Sequence, residues 1–151
     1  MTIVRLTWSE LAIAACVGVE RHVHNLRVKA QQAWGYDGAH AWETHIVGAQ
    51  GEALVAKHFG CEWDGALGDY AAKDVGGYQV RTTRIKSGCL ILHPEDLDDD
   101  LFVLVVLLRD GVGDLVGAKI GHRGKIAEFW RDPGTGRPCF MVPQSALGPI
   151  S

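Results

Sequence analysis

The apolar run from Leu101 to Leu108 constrains the fold more than any other part of this 151-residue chain. It contains only leucine, valine and phenylalanine, and charged residues stand on both sides of it. A short run that is apolar at every position is typical of a strand that is buried on both faces. It is too short to cross a bilayer, which needs ~20 helical residues. The run therefore predicts a central strand in a sheet that other layers cover on both sides.

A long first helix is predicted over residues 7–33. Thr7 and Glu10 have the spacing of a capping box, in which each side chain accepts a hydrogen bond from the other residue's backbone. Apolar residues then recur every three or four positions, which is the period of an amphipathic helix. The members of this stripe are Leu11, Ala15, Val19, Val23 and Leu26.

A second helix is predicted from Ala41 to Phe59, and Gly60 is the expected C-terminal stop. Its interior contains two glycines, Gly48 and Gly51. Each glycine is about 1 kcal/mol less favourable than alanine in a helix. We therefore expect that a close approach of another backbone or of a substrate requires them.

The remaining pattern consists mainly of short strands. We predict strands near residues 3–6, 89–92, 115–120 and 139–142, a turn over 110–114, and a short helix near 125–130. Helices followed by strands predict an α/β fold, in which helices pack against a mixed sheet. The length predicts one domain, residues 1–151.

Composition excludes several classes of protein. The formal charge of −3 gives no overall basic character, so nucleic acid would have to bind a local patch. The four cysteines lie far apart and contain no CxxC pair, which favours reduced thiols over a zinc site. The N-terminus does not have the pattern of a signal peptide. We expect a cytoplasmic protein with no membrane partner.

The stretch from Lys73 to Arg84 contains the first candidate functional residues. Asp74 stands just before a Gly-Gly turn, and an alternating strand follows. Gln79, Arg81 and Thr83 share one face of that strand, because successive side chains point to opposite faces. A carboxylate, an amide oxygen and a guanidinium at one strand end are groups that bind a metal ion and a phosphate.

These residues resemble the PD-(D/E)XK nuclease superfamily. The similarity rests on three pieces: an acidic helix segment over residues 48–57 (GAQGEALVAK), Asp74 before a hairpin, and Gln79-Val-Arg81 on the next strand. The tail, ending in FMVPQ, is also similar to small members of that group, and the overlap covers residues 41–145. The resemblance implies a restriction-endonuclease-like mixed β-sheet flanked by α-helices, in a bacterial or phage protein.

The resemblance also implies a function and a site. The function is metal-dependent hydrolysis of DNA by an endonuclease or exonuclease that uses Mg²⁺ or Mn²⁺, and the implied partners are DNA and a second copy of the chain in a homodimer. The implied catalytic residues are Glu52, Asp74, Gln79 and Arg81. Glu52, Asp74, Gln79 and the Val80 carbonyl are the implied metal ligands, since hard oxygen donors suit Mg²⁺. Asp69 is a further candidate ligand.

Two departures from the family pattern keep other functions open. Gln79 is neutral, so it should weaken metal binding. Arg81 stands where the family has lysine, and an arginine binds phosphate well but is a poor base. One alternative is a catalytically silent nuclease-fold protein that binds nucleic acid or a host protein as an inhibitor or assembly factor. Another is an unrelated α+β interaction domain, in which Asp74 is only a turn residue and Glu52 is an exposed helix residue.

A basic strip accompanies the candidate site. Arg81, Arg84 and Lys86 lie in a stretch from Val75 to Pro94 that contains no acidic residue. Such a strip is suited to binding the phosphate backbone of DNA. It could equally pair with the acidic turn over residues 95–100. The sequence leaves both interpretations open.

Overall fold

The computed structural model describes residues 1–28, 40–65, 73–132, 134 and 136–150, and all structural statements below concern these residues. The helices are α1 (Trp8–Arg27), α2 (Ala41–Phe59) and α3 (Gly121–Gly124). The strands are β1 (Ile3–Arg5), β2 (Tyr78–Thr83), β3 (Leu90–Leu92), β4 (Leu101–Arg109), β5 (Val112–Ile120), β6 (Trp130–Arg131) and β7 (Cys139–Val142). Two short 3₁₀ turns lie at Ala127–Phe129 and Gln144–Ala146.

The strands form two sheets. The larger has the order β1-β5-β4-β2, and its one parallel pair is β2 with β4, so the sheet is mixed. The smaller sheet is antiparallel and has the order β3-β7-β6. The predicted mixed α/β class is confirmed. None of the described helices is long and apolar enough to span a membrane.

Strand β4 lies at the centre of a layered structure, as its sequence predicts. Val103, Val105 and Leu107 point to the face that α2 covers, where Leu54 and Val55 pack against them. Phe102 and Leu104 point to the opposite face and pack in a second core with the smaller sheet. Helix α2 lies against the larger sheet and α1 lies on α2. The two long helices therefore cover one face, and the smaller sheet covers the other.

A close contact with the Thr82 side chain explains one of the two glycines in α2. A Cβ atom at Gly51 would lie 1.8 Å from Oγ1 of Thr82 on β2, so glycine lets the helix lie close to the sheet. A Cβ at Gly48 would meet nothing within 4 Å. The expected packing reason is thus found at Gly51 and not at Gly48. Gly18 of α1 plays the same part at the helix crossing, since its Cβ would lie 2.5 Å from the Cα of Ile46.

The helix ends follow the predicted signals. Oε2 of Glu10 accepts a hydrogen bond from the Thr7 backbone at 2.6 Å, and Thr7 Oγ1 accepts one from the Glu10 backbone at 3.2 Å, which completes the capping box. Helix α2 ends at Phe59, followed by Gly60 in the left-handed conformation at φ 65°. Helix α1 ends at Arg27 with Val28 as its cap. The predicted extension over residues 29–33 lies outside the described residues.

The apolar stripe predicted for α1 is not its buried face. The residues that face α2 are Ala14, Gly18 and His22. Three stripe residues, Val19, Val23 and Leu26, are exposed instead. The prediction was wrong because it assigned burial to the largest apolar residues. Small residues are needed where α1 crosses α2, because the backbones of the two helices approach each other closely at Gly18.

Two further local predictions need correction. Strand β5 begins at Val112, so the predicted turn over 110–114 contains only a tight connection at Asp110 and Gly111. The predicted helix near 125–130 is replaced by α3, the 3₁₀ turn at Ala127–Phe129 and the short strand β6.

Candidate functional site

The predicted turn after Asp74 forms as expected. Val75 and Tyr78 exchange two backbone hydrogen bonds, and Gly76 and Gly77 between them have φ of 51° and 94°, which favours glycine at both. Strand β2, which follows, is the last strand of the larger sheet. The turn therefore places Asp74 beside β2.

The carboxylate of Asp74 binds the free edge of β2, by which we mean the edge with which no described strand pairs. Its Oδ2 accepts a hydrogen bond from the Val80 backbone N–H at 2.7 Å. The N–H and C=O of one strand residue point to the same edge of the strand. The Val80 carbonyl therefore also faces the free edge, away from β4. These two oxygen donors, from the predicted ligand set, lie at the same edge of the sheet.

Glu52 is held on α2 by two donors. It is only 6% exposed, and its carboxylate receives a two-pronged contact from Arg21 of α1, with N–O distances of 2.6 and 2.7 Å. The indole N–H of Trp63 donates to the same carboxylate at 2.9 Å. Paired hydrogen bonds between arginine and a carboxylate are among the strongest in proteins. Glu52 is therefore a buried carboxylate paired with Arg21, and not an exposed helix residue.

Asp74 and Glu52 influence each other electrostatically. Burial raises the pKa of Asp74 to about 6, and repulsion from the Glu52 carboxylate adds to this effect. The Val80 N–H and the positive charges of Arg81 and Arg21 act in the opposite direction. The net result is a carboxyl that ionises with difficulty, because burial disfavours its charged form.

Gln79 and Arg81 lie on the other face of β2, toward the smaller sheet. The Gln79 amide donates to Asp100 at 3.2 Å, and Lys73 also pairs with Asp100. Arg81 lies 5.2 Å from the ring centre of Phe102. Val80, by contrast, packs in the core beneath α2. The four predicted catalytic residues thus divide into a pair near the helices and a pair near the acidic turn, with Asp74 within electrostatic reach of both Glu52 and Arg81.

Most of the predicted basic strip pairs with acidic residues. The Arg81 guanidinium donates to both carboxylate oxygens of Asp96 at 3.0 and 3.1 Å. Arg84 contacts Asp110 at 2.6 Å and Glu43 at 3.4 Å. Among the residues that the structure describes, Lys86 makes no ion pair. The interpretation that the strip pairs with the acidic turn therefore describes Arg81, while Arg84 pairs elsewhere.

Lys125, a basic residue that directly follows α3, is also paired. Its Nζ lies 2.5 Å from Oδ1 of Asp98 and donates to the backbone carbonyls of Pro94 and Asp96. This lysine holds the acidic turn against the end of β5. It contributes to the local structure and presents no free charge to a phosphate.

The predicted metal ligands fit a hard cation unequally. Asp74 and the Val80 carbonyl supply oxygen donors at one edge, which suits Mg²⁺ or Mn²⁺. Both oxygens of Glu52 already accept hydrogen bonds, and the Gln79 amide is turned to Asp100. The described part of the chain contains no group of three or more His, Cys, Asp or Glu side chains that could hold a metal ion. Asp69 lies outside the described residues.

Sequence reasoning missed the residues that hold this site in place. Arg21 was passed over, although its spacing from Ala14 and Gly18 places it on the face of α1 that packs on α2. A charge on a face of small residues indicates a buried partner, and that partner is Glu52. Nothing comparable in the sequence indicated Trp63, since it lies in an irregular segment.

The fold and the site define a mixed α/β protein in which Asp74 lies at a sheet edge, within electrostatic reach of the buried Glu52 on α2. No family model, no curated protein and no solved structure matches this chain.

Proposed function

We propose that this chain is a metal-dependent nuclease that hydrolyses phosphodiester bonds in DNA, and that Asp74 is the residue on which its activity depends. The observation that supports this most directly is the burial of the Asp74 carboxyl within electrostatic reach of Glu52, which raises the pKa of Asp74 to about 6. A buried carboxyl near a second carboxylate is difficult to ionise. Carboxyls with a pKa perturbed in this way are frequent where a protein holds a cation or moves a proton.

In this proposal the chain's own residues have separate tasks. Asp74 and the Val80 carbonyl hold the cation, and Glu52 contributes through water because Arg21 occupies its oxygens. A bound divalent cation supplies an activated water and neutralises charge on the phosphate. Arg81 remains charged and binds phosphate oxygens, so it stabilises negative charge and does not accept the proton.

A cleavage assay tests the proposal. Linear, nicked and branched DNA are incubated with the protein in Mg²⁺ or Mn²⁺, using the natural chain, Asp74→Ala and Asp132→Ala. Asp132 is the matched control, because it follows β6 in the smaller sheet and, among the described residues, its carboxylate accepts a hydrogen bond only from the Gly134 backbone. We expect cleavage by the natural chain and by Asp132→Ala, and none by Asp74→Ala. Cleavage that survives Asp74→Ala would refute the assignment.

Cation binding gives a second, independent readout. A ligand at 100 times its dissociation constant stabilises the folded state by about 2.7 kcal/mol. For a domain of this size, that raises the melting temperature by about 5–10 °C. We expect Mn²⁺ to raise it for the natural chain and not for Asp74→Asn. Equal shifts in both proteins would place the cation elsewhere.

Specific contacts favour a second candidate function, nucleic-acid binding without cleavage. The two-pronged Arg21–Glu52 contact removes one acid from any metal site, and Asp96 already occupies Arg81. In this case the protein keeps the same fold and binds nucleic acid, but the site around Asp74 does not catalyse cleavage. DNA binding that depends on salt, with no cleavage in either metal, would select this candidate.

The pairing of Arg81 with Asp96 makes DNA binding testable in its own right. Asp96→Asn leaves the guanidinium without its carboxylate, so we expect tighter binding to DNA in a fluorescence anisotropy titration. Arg81→Gln should weaken binding and reduce its salt dependence. If neither the natural chain nor Asp96→Asn binds DNA, both candidates fail and the unrelated interaction domain is favoured.

A further inference from the structure

The larger sheet extends beyond the helix that covers it. Val103 of β4 and Ala118 of β5 pair with each other and lie in the core beneath α2. Two residues along these strands, Leu101 and Ile120 point to the same face, because side chains alternate in a strand. Together with Tyr78 of β2 they form a row that is only partly buried. This row, with Val103 and Ala118 behind it, is the floor of a cleft.

The cleft has mainly apolar walls and a volume of about 240 Å³. One wall is the ring of Phe59, the last residue of α2, which stacks on Tyr78 with ring centres 4.6 Å apart. Another wall is the segment 148–150, where the Gly148 backbone is held to Ala118 by two hydrogen bonds of 2.9 Å. A cavity of about 150 Å³ is enough to hold benzene. The cleft therefore has room for an aromatic ring with a short side chain, and apolar clefts with a few polar groups are typical sites for small molecules.

The charged residues at the cleft are both cationic. Lys119 donates to the Ala146 carbonyl at 2.7 Å, so its Nζ already has a partner. Arg123 of α3 is exposed, and among the residues that the structure describes its guanidinium makes no hydrogen bond or ion pair. No described acidic residue lines the cleft. The cleft therefore combines an apolar floor with a positive charge that has no acidic partner, which favours a ligand that is apolar at one end and anionic at the other.

We propose that this cleft binds a small carboxylic acid with an apolar body, of the size of phenylacetate. The apolar body packs on the row of Tyr78, Leu101 and Ile120. The carboxylate accepts hydrogen bonds from the Arg123 guanidinium, whose parallel N–H donors match the two oxygens of a carboxylate. The proposal does not use the carboxylates near the free edge of β2, so it is independent of any nuclease activity.

The size of the cleft predicts weak but measurable binding. One guanidinium holds the acid, and the cleft is open to water on one side, so we expect a dissociation constant of about 0.1–1 mM for phenylacetate. An NMR titration that follows the backbone amides of the natural chain measures it, with the ionic strength held constant. Phenylacetamide has the same shape and no charge, so it should bind about three- to tenfold more weakly.

Three variants separate the charge from the floor of the cleft. Arg123→Gln should weaken binding of phenylacetate about three- to tenfold and leave that of phenylacetamide unchanged. Lys86→Gln is the matched control, because it removes one exposed positive charge beyond the opposite end of β2. Ala118→Leu fills the floor and should abolish binding of both ligands. Because Arg123 and Lys86 are exposed, their two variants decide the proposal even if Ala118→Leu does not fold.

Each outcome decides the proposal. Saturable binding of phenylacetate that Arg123→Gln weakens and Lys86→Gln does not weaken supports it. No spectral change at about 10 mM phenylacetate, well above the expected dissociation constant, overturns it. Equal affinity for the acid and the amide also overturns it, since the cleft then takes neutral apolar molecules. Binding that a folded Ala118→Leu variant leaves intact places the ligand elsewhere and overturns it as well.

Discussion

Asp74→Asn should make the protein more stable near neutral pH. The folded state raises the pKa of Asp74 from 3.8 to about 6, so the folded protein binds this proton more tightly than the unfolded chain does. The associated stability is fully present below the unfolded pKa and is lost as pH rises through about 6. A shift of about two units at 1.36 kcal/mol each gives a loss of about 3 kcal/mol by pH 8. Asparagine has no charge to bury, and its carbonyl can still accept the Val80 N–H.

Urea unfolding at pH 4, 6 and 8 measures this difference. We expect the midpoints of the two proteins to be close at pH 4 and to separate with rising pH, with Asp74→Asn more stable by up to about 3 kcal/mol at pH 8. The experiment is done with a chelator present, so that a bound cation does not offset the repulsion. An equal gain at pH 4 would show that the effect is packing and not charge.

Asp110→Asn is a control of opposite sign. A hydrogen bond from Arg84 holds the pKa of Asp110 below its usual range. A lowered pKa contributes stability above the unfolded pKa, and that stability is lost as pH falls. Asp110→Asn should therefore reduce stability at pH 8, and only slightly, since the Asp110 side chain is mostly exposed. If Asp74→Asn behaved like Asp110→Asn, the argument from burial would be wrong.

Two further substitution pairs test the packing around the site. Gly51→Ala should destabilise the protein by about 1–3 kcal/mol, because its Cβ would overlap Oγ1 of Thr82. Gly48→Ala should stabilise the protein by about 1 kcal/mol, because alanine has the higher helix propensity and its Cβ meets nothing. Thermal melts that shift in the same direction for both variants would contradict this. Arg21→Met should cost about 3–5 kcal/mol by leaving the Glu52 carboxylate buried without its partner, and adding Glu52→Leu should recover most of that loss. Urea midpoints check the second pair, and a double variant no better than the single one would show that the contact is not the source of the loss.

The sequence predicts the elements best where one physical signal dominates. Strand β4 is recognised because an uninterrupted Val/Leu run is needed when both faces are buried. Prediction fails where a residue is required by packing against a neighbour that is distant in the sequence. Gly113 was assigned to a turn, yet it lies in β5. It is glycine in a strand because a Cβ there would lie 2.7 Å from Cδ1 of Leu54. Local sequence cannot show that α2 needs this space.

The candidate site shows the same limit. Alternation along β2 correctly places Gln79 and Arg81 on one face and Val80 on the other. The alternation does not show which layer covers each face, so it could not show that Asp100 and Asp96 would engage the first two. Those pairings depend on how the acidic turn returns to the sheet across about twenty residues.

Glu52 and Asp74 differ in how well their carboxylates are stabilised, and this difference favours a functional interpretation of Asp74. Arg21 and Trp63 satisfy Glu52 completely, so its burial has a structural explanation. Among the described residues, Asp74 accepts one hydrogen bond, from a backbone N–H, and its pKa is raised to about 6. An asparagine would make the same contact without the electrostatic penalty. A destabilising charge that a neutral residue could replace is typical of sites where function, and not folding, requires it.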